Sequence, residues 1–270
     1  AADKVAAMTT TQVQSLTDTQ IKSLSADKVT ALTSTQVSAL QTSQLKSLSA
    51  TQLQALDASD VAAMGTAQVK ALTDTQVKAM TTAAMAALTT TQVGALTTTQ
   101  VGVLTATQVK SLSTGALAGL TTGTVQTLTS TQLSALPAAS VSALSTAQVA
   151  ALTTSQVADM TAALVSALTT TQVGGMTTAQ VAALTTASVV ALTATQVGSM
   201  GTSQVAALTT SQVKALETAD IAALSTGQVK ALTNQELRQP QGGRGESREE
   251  SRQCQLGLLA LAAQILERFD

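Results

Sequence analysis

Leu or Met stands at every eighth position from Met8 to Leu232, twenty-nine times without a slip. A period so short and strict constrains the fold before any other feature does. Five residues after each of these comes an apolar residue: Val13, Ile21, Val29, Val37, Leu45, Leu53, Val61 and onward to Val229 and Leu237. A continuous helix cannot satisfy this pattern. Eight residues at about 100° each carry the apolar pair round by roughly 80° per repeat, so the stripe would wind around the helix and never stay buried. A single strand fails as well, because spacings of three and five place the two members of the pair on opposite faces. The chain must change direction once in every repeat.

The residue after each Leu or Met shows where. It is Thr or Ser in most units, with Asp57, Gly65 and Gly201 among the exceptions, and all of these are favoured helix N-caps. Three positions later stands Gln in nineteen units, among them Gln12, Gln20, Gln36, Gln100, Gln148 and Gln212. Ser or Thr followed three residues on by Gln is a capping box, and the flanking Leu and Val occupy the two positions of a hydrophobic staple. Pro137 falls in the cap slot, where it breaks no helical hydrogen bond. Each unit therefore predicts one short helix of about five to seven residues, beginning just after its cap.

Helices this short are unstable alone, so stacking between units must hold them. The residue before each Leu is nearly always Ala, Ser or Gly, which suits close approach of backbones, and lysine falls chiefly at the sixth position (Lys22, Lys46, Lys70, Lys78, Lys110, Lys214, Lys230), which predicts a face turned to water. A longer period is also present. Units without Gln at the box slot carry Lys4, Lys28, Asp60, Ala84, Ala116, Ser140, Leu164, Ser188 and Asp220, three or four units apart, with Thr124 as the one departure from that rhythm. The expected fold is an all-α solenoid of one-to-two-turn helices, with about 3.4 repeats, or roughly 27 residues, per superhelical turn. Packed helices lie about 8 to 10 Å apart, so such an array would measure roughly 70 to 90 Å along its axis. A β-solenoid with Thr-Val strands and corners at Leu is the alternative, since Thr and Val favour strands.

After Leu237 the composition changes. All nine lysines precede this point and all five arginines follow it, and no Thr occurs after Thr233. The octapeptide solenoid is therefore assigned to residues 1–237. Residues 238–246, around Gln239-Pro240-Gln241-Gly242-Gly243, read as a linker, and 247–270 as an amphipathic helix opened by Ser247-Arg248-Glu249-Glu250. That helix is expected either to cover the apolar end of the array or to serve assembly through Cys254. Residue 1 already lies in register and no basic, apolar leader precedes it, as expected of a mature form or a fragment of a longer array.

Composition argues against most chemistry. There is no His, Trp or Tyr, and Phe269 and Cys254 are single, so no metal site has a credible ligand set, Cys254 has no His partner, and an internal disulfide is excluded. The pairs Asp57/Asp60 and Glu217/Asp220 have the residue types of a general acid and base, but they occupy cap and box slots, where carboxylates satisfy amides. The run Thr89-Thr90-Thr91 has no base beside it. Six methionines share the Leu slot as core substitutions. A net charge of −1 with scattered lysines gives no stripe for phosphates, hence no nucleic acid, and Leu256–Leu266 is too short to span a membrane. No catalytic, cofactor or metal residue is expected.

The unit Leu88-Thr89-Thr90-Thr91-Gln92-Val93-Gly94-Ala95 resembles the Leu-Thr-x-x-Gln octapeptide repeats of large bacterial surface and secreted proteins, over residues 1–237. The resemblance implies an extracellular or cell-surface setting and carries no functional residue. The expected role is that of a structural rod, stalk, spacer or filament segment, with the chain itself as a partner through end-to-end or side-by-side assembly. The alternatives are a surface binder of ice or polysaccharide through its Thr rows, and a protein-interaction scaffold.

Overall fold

The computed structural model describes residues 2–238. The expected linker beyond Arg238, the amphipathic helix over 247–270 and Cys254 lie outside the described residues. The chain divides into two compact units, Ala1–Leu152 and Thr153–Asp270. Helices are numbered α1 to α29 in chain order, one per repeat; the first unit holds α1 (Ala2–Ala6) to α19 (Thr146–Ala151) and the second α20 (Thr154–Ala158) to α29 (Thr226–Arg238). No strand occurs among the described residues, which removes the β-solenoid. The first twenty-eight helices are four to six residues long, slightly shorter than the spacing predicts.

One repeat shows how sequence becomes shape. In α12 (Thr90–Ala95), Thr89 is extended at φ −79°, ψ 164° and its Oγ1 accepts the N–H of Gln92. The Thr89 N–H in turn donates to Gln92 Oε1 at 2.8 Å. The helix ends as Leu96 leaves it at φ −60°, ψ 137°, its N–H donating to the Val93 carbonyl at 3.2 Å. The corner is thus two successive extended residues, the slot Leu and the following cap. This geometry needs no positive φ, and none occurs. It also explains Pro137: at φ −63°, ψ 148° it caps the helix Ala138–Ser142, and the residue before a proline is driven to the extended conformation that the slot residue adopts at corners such as Leu40, Leu72 and Leu96.

The core follows the two apolar slots. The Val-slot residue is buried in all twenty-nine units, from Val5 to Val229. The Leu slot is buried too, except at Met8, Leu16, Leu24 and Leu216, which are half-buried. Each side chain so buried contributes about 1.5–3 kcal/mol, which a four-to-six-residue helix cannot obtain from its own turn. The seven sixth-position lysines, Lys22 to Lys230, are all exposed as expected.

Within each unit a helix packs on the helix three repeats further on. In the first unit α5 (Ser34–Ala39) meets α8 (Ala58–Ala63), which meets α11 (Thr82–Ala87); in the second, α20 meets α23 (Thr178–Ala183). Hydrogen bonds between turns span 25 to 31 residues, as in Thr90 Oγ1 to the Gly115 carbonyl and Gln92 Nε2 to the Val61 carbonyl. A turn therefore holds between three and four helices, in line with the 27-residue period. The small residues mark the closest approach: a Cβ on Gly119 would lie 2.0 Å from the Thr90 carbonyl oxygen, and one on Gly94 2.9 Å from that of Gly119.

One boundary differs from expectation. The slot Leu232 and the cap-type Thr233 should end a helix, yet α29 runs through both for thirteen residues. Asn234, Gln235, Glu236, Leu237 and Arg238 contain no glycine or proline to stop it, and the octapeptide pattern has no further complete unit to impose a corner.

Candidate functional site

The box glutamines do more than cap. In α12, Gln92 Oε1 accepts the Thr89 N–H, while Nε2 donates to the carbonyls of Val61 at 2.8 Å and Met64 at 2.7 Å, 31 and 28 residues earlier. Gln36 does the same to Val5 and Met8, Gln68 to Val37 and Leu40, Gln108 to Val77 and Met80, and Gln148 to Leu117 and Leu120. The second unit repeats the arrangement with Gln204 on Val173 and Met176, and Gln212 on Val181 and Leu184. One buried carboxamide thus satisfies an orphan amide at the start of its own helix and the orphan slot carbonyl at the end of another, and adds a second donor to the Val-slot carbonyl that already accepts the slot N–H. At Gly65 and Gly201, which lack a side chain, the cap N–H still donates to Gln68 and Gln204. In the first turn Gln12 and Gln20 keep their capping bonds but are exposed.

The carboxylate pairs are absorbed in the same way. Asp57 Oδ1 accepts the Ser59 hydroxyl at 2.7 Å and the Asp60 N–H at 2.8 Å, which together hold its carboxyl below the ordinary value. Asp60 is 3% exposed; burial pushes its carboxyl up, against the opposing effect of the Asp57 N–H and the Ser34 hydroxyl that it accepts. Glu217 N–H donates to Asp220 Oδ2 at 2.9 Å. In the hydroxyl run, Thr89 caps, Thr91 pairs with Thr89 at 3.1 Å, and Thr90 donates to Gly115. Among the described residues no three of His, Cys, Asp and Glu come together, and no helix is long and apolar enough to cross a membrane.

Where the box residue is not Gln, the surroundings differ from unit to unit. Ala84 and Ala116 are followed by the larger core residues Met85 and Leu117, both fully buried. Ser188 reaches the Met160 carbonyl at a long 3.5 Å. Ser140 shares its unit with Pro137, which has no N–H for a Gln oxygen to accept. Thr124 has none of these features. It is followed by an ordinary Val125, its hydroxyl turns back to Thr121, and beside it lies a solvent-open pocket of about 460 Å³ lined by Thr66, Lys70, Gly94, Leu96, Thr97 and Thr121 among others.

Part of the array matches a known sequence repeat. Residues 37–74, 53–90, 74–106 and 186–218 match the ALTTAQ repeat. The letters of that description fall in register on the tight-packing Ala, the corner Leu, the cap Thr and the box Gln, as in Ala207-Leu208-Thr209-Thr210-Ser211-Gln212, which differs in one place. The Thr124 unit lies outside the ALTTAQ matches. No curated protein and no solved structure matches the chain.

Proposed function

We propose that the chain is a structural repeat protein, working as a rod, stalk, spacer or filament segment, without catalytic activity and in an extracellular or cell-surface setting. The observation that carries this reading is the glutamine ladder: in the first unit every box Gln from Gln36 to Gln148 spends its carboxamide on the chain itself. A sequence whose recurring polar group is consumed internally is organised for persistence, and the same bond repeated at each turn resists separation of neighbouring turns. The surface setting rests on the likeness of its units to octapeptide repeats of bacterial surface proteins. Small-angle scattering from the purified monomer tests the rod: an asymmetric distance distribution is expected, whereas a symmetric one with a radius of gyration near roughly 18 Å is that of a compact chain of this length and would overturn it.

Binding of ice or a polysaccharide by the Thr rows is the alternative. The cap hydroxyls, such as those of Thr89 and Thr97, are already engaged by the N–H of Gln92 and Gln100, which leaves only the threonines of the first helical turn for such a ligand. A thermal hysteresis assay separates it from the structural reading.

A further inference from the structure

The cavity beside Thr124 is the place of a missing glutamine, and we infer that it binds a primary carboxamide presented from outside the chain. In the neighbouring Gln units one carboxamide bridges a cap N–H and the slot carbonyl 25 residues before that cap: Thr97 N–H to Leu72 O through Gln100, and Thr129 N–H to Leu104 O through Gln132. The equivalent groups here are Thr121 N–H and the Leu96 carbonyl. Their backbones have the same form, with Thr121 at φ −74°, ψ 159° and Leu96 at φ −60°, ψ 137°. Thr124 reaches neither, because its hydroxyl is used on the Thr121 carbonyl and hydroxyl. Neither Thr121 N–H nor Leu96 O has a partner among the described residues, and both residues line the cavity.

Leu96 is buried while Thr121 is exposed at the mouth of the pocket, and a single group that satisfies both the carbonyl and the amide is favoured over separate waters. A primary carboxamide does so, with its oxygen on Thr121 N–H and its NH₂ on Leu96 O. A carboxylate supplies an acceptor and no donor, so it is rejected by the Leu96 carbonyl. The remaining volume is lined by threonines and Lys70 together with Ala67, Gly94 and Ala95, which suits a ligand that carries the amide on a short stem. The amide comes either from a Gln or Asn side chain of another polypeptide or from a small free amide.

Titration of the isotopically labelled chain, followed by its backbone amide resonances, tests this with propionamide as the probe and propionate as the matched carboxylate. The expected result is a saturating shift at Thr121, Leu96 and Thr97 with propionamide, at least tenfold weaker with propionate. Thr124→Gln, which supplies the carboxamide in cis, should abolish the response, and Thr124→Ala, which leaves both backbone groups in place, should keep it. Equal responses to the two probes, no saturating response, or a response retained in Thr124→Gln would overturn the inference. Should Thr124→Gln fail to fold, the probe pair and Thr124→Ala still decide. A Gly-Gln-Gly peptide blocked at both ends identifies the source: tighter binding than propionamide assigns a polypeptide side chain, weaker binding a small amide, and either result upholds the carboxamide site.

Discussion

Replacing Gln92 by Glu changes one NH₂ into an oxygen and leaves the side chain's length and shape alone. Gln92 is 2% exposed, and its Nε2 donates to the Val61 and Met64 carbonyls at 2.8 and 2.7 Å. Gln92→Glu keeps the bond from Thr89 N–H but turns both donations into oxygen facing oxygen. The Met64 carbonyl is left unsatisfied at about 1–3 kcal/mol, the Val61 carbonyl keeps only the Met64 N–H, and the carboxylate adds its own desolvation, so a loss of about 2–5 kcal/mol is expected at pH 7. Protonation restores one donor. The new carboxyl is stabilised in its neutral form, so its folded pKa is raised above the unfolded value of about 4.3; stability is recovered below that value and lost as pH rises through the folded pKa. Gln12→Glu is the control. Gln12 is exposed, its capping bond uses only the oxygen, and an acid in the first helical turn is neutral or mildly favourable. Thermal unfolding followed by circular dichroism at pH 3.5 and pH 7 reads both variants. Equal melting temperatures for the two at pH 7, or a Gln92→Glu deficit independent of pH, would refute the ladder as the bond between turns.

Leu104→Asp places a charge in the apolar seam and should lower the melting temperature strongly, while Lys110→Ala, on the exposed sixth position, should leave it nearly unchanged; calorimetry of both compares them. Gly119→Ala drives a methyl to 2.0 Å from the Thr90 carbonyl oxygen and should cost about 1–3 kcal/mol or more in urea unfolding. Gly102→Ala meets open space and should gain about 0.5–1 kcal/mol. Asp60→Asn should raise the melting temperature at pH 7 and not at pH 3. The raised Asp60 carboxyl contributes its stability below its ordinary value of 3.8 and loses it as pH rises through the folded pKa. Asp57, held low, acts in the opposite direction, losing its contribution as pH falls through its folded pKa, but it is exposed and screened.

The helix starts were legible because capping is local: Thr89 and Gln92 are three residues apart, and a side chain that bonds so near is read directly from spacing. The corner at Leu96 and the water-facing Lys70 were legible for the same reason. What escaped was the other end of each glutamine, because its partners lie 28 and 31 residues earlier and no local spacing carries that distance. A signal was nonetheless present. A capping box needs only an acceptor and takes Glu as readily as Gln, yet no box slot from Lys4 to Gln228 is Glu, and the next one, Glu236, lies where the corner at Leu232 is lost and the helix runs on. The exclusion of Glu means that the NH₂ has work to do. Thr124 stood out as the unit that breaks the rhythm of Gln-free repeats, but whether a short residue leaves a cavity depends on its neighbours. Ala84 is followed by the larger Met85 and Thr124 by Val125, a difference of side-chain volume that the period alone does not express.

The ladder bears on how such a chain changes length over generations. A glutamine needs no particular partner, only a slot residue at the right distance, and all twenty-nine slots offer the same backbone carbonyl. Duplication or loss of one octapeptide therefore hands each glutamine within the next turn a new partner chemically identical to the old one and leaves those further on with theirs, so array length drifts at little cost. Exceptional units are different. Ser34 and Asp60 are matched across 26 residues, and an inserted repeat between them would leave Asp60 buried without its hydroxyl. Repeat number is thus free where the units are alike and pinned where a mismatched pair has formed.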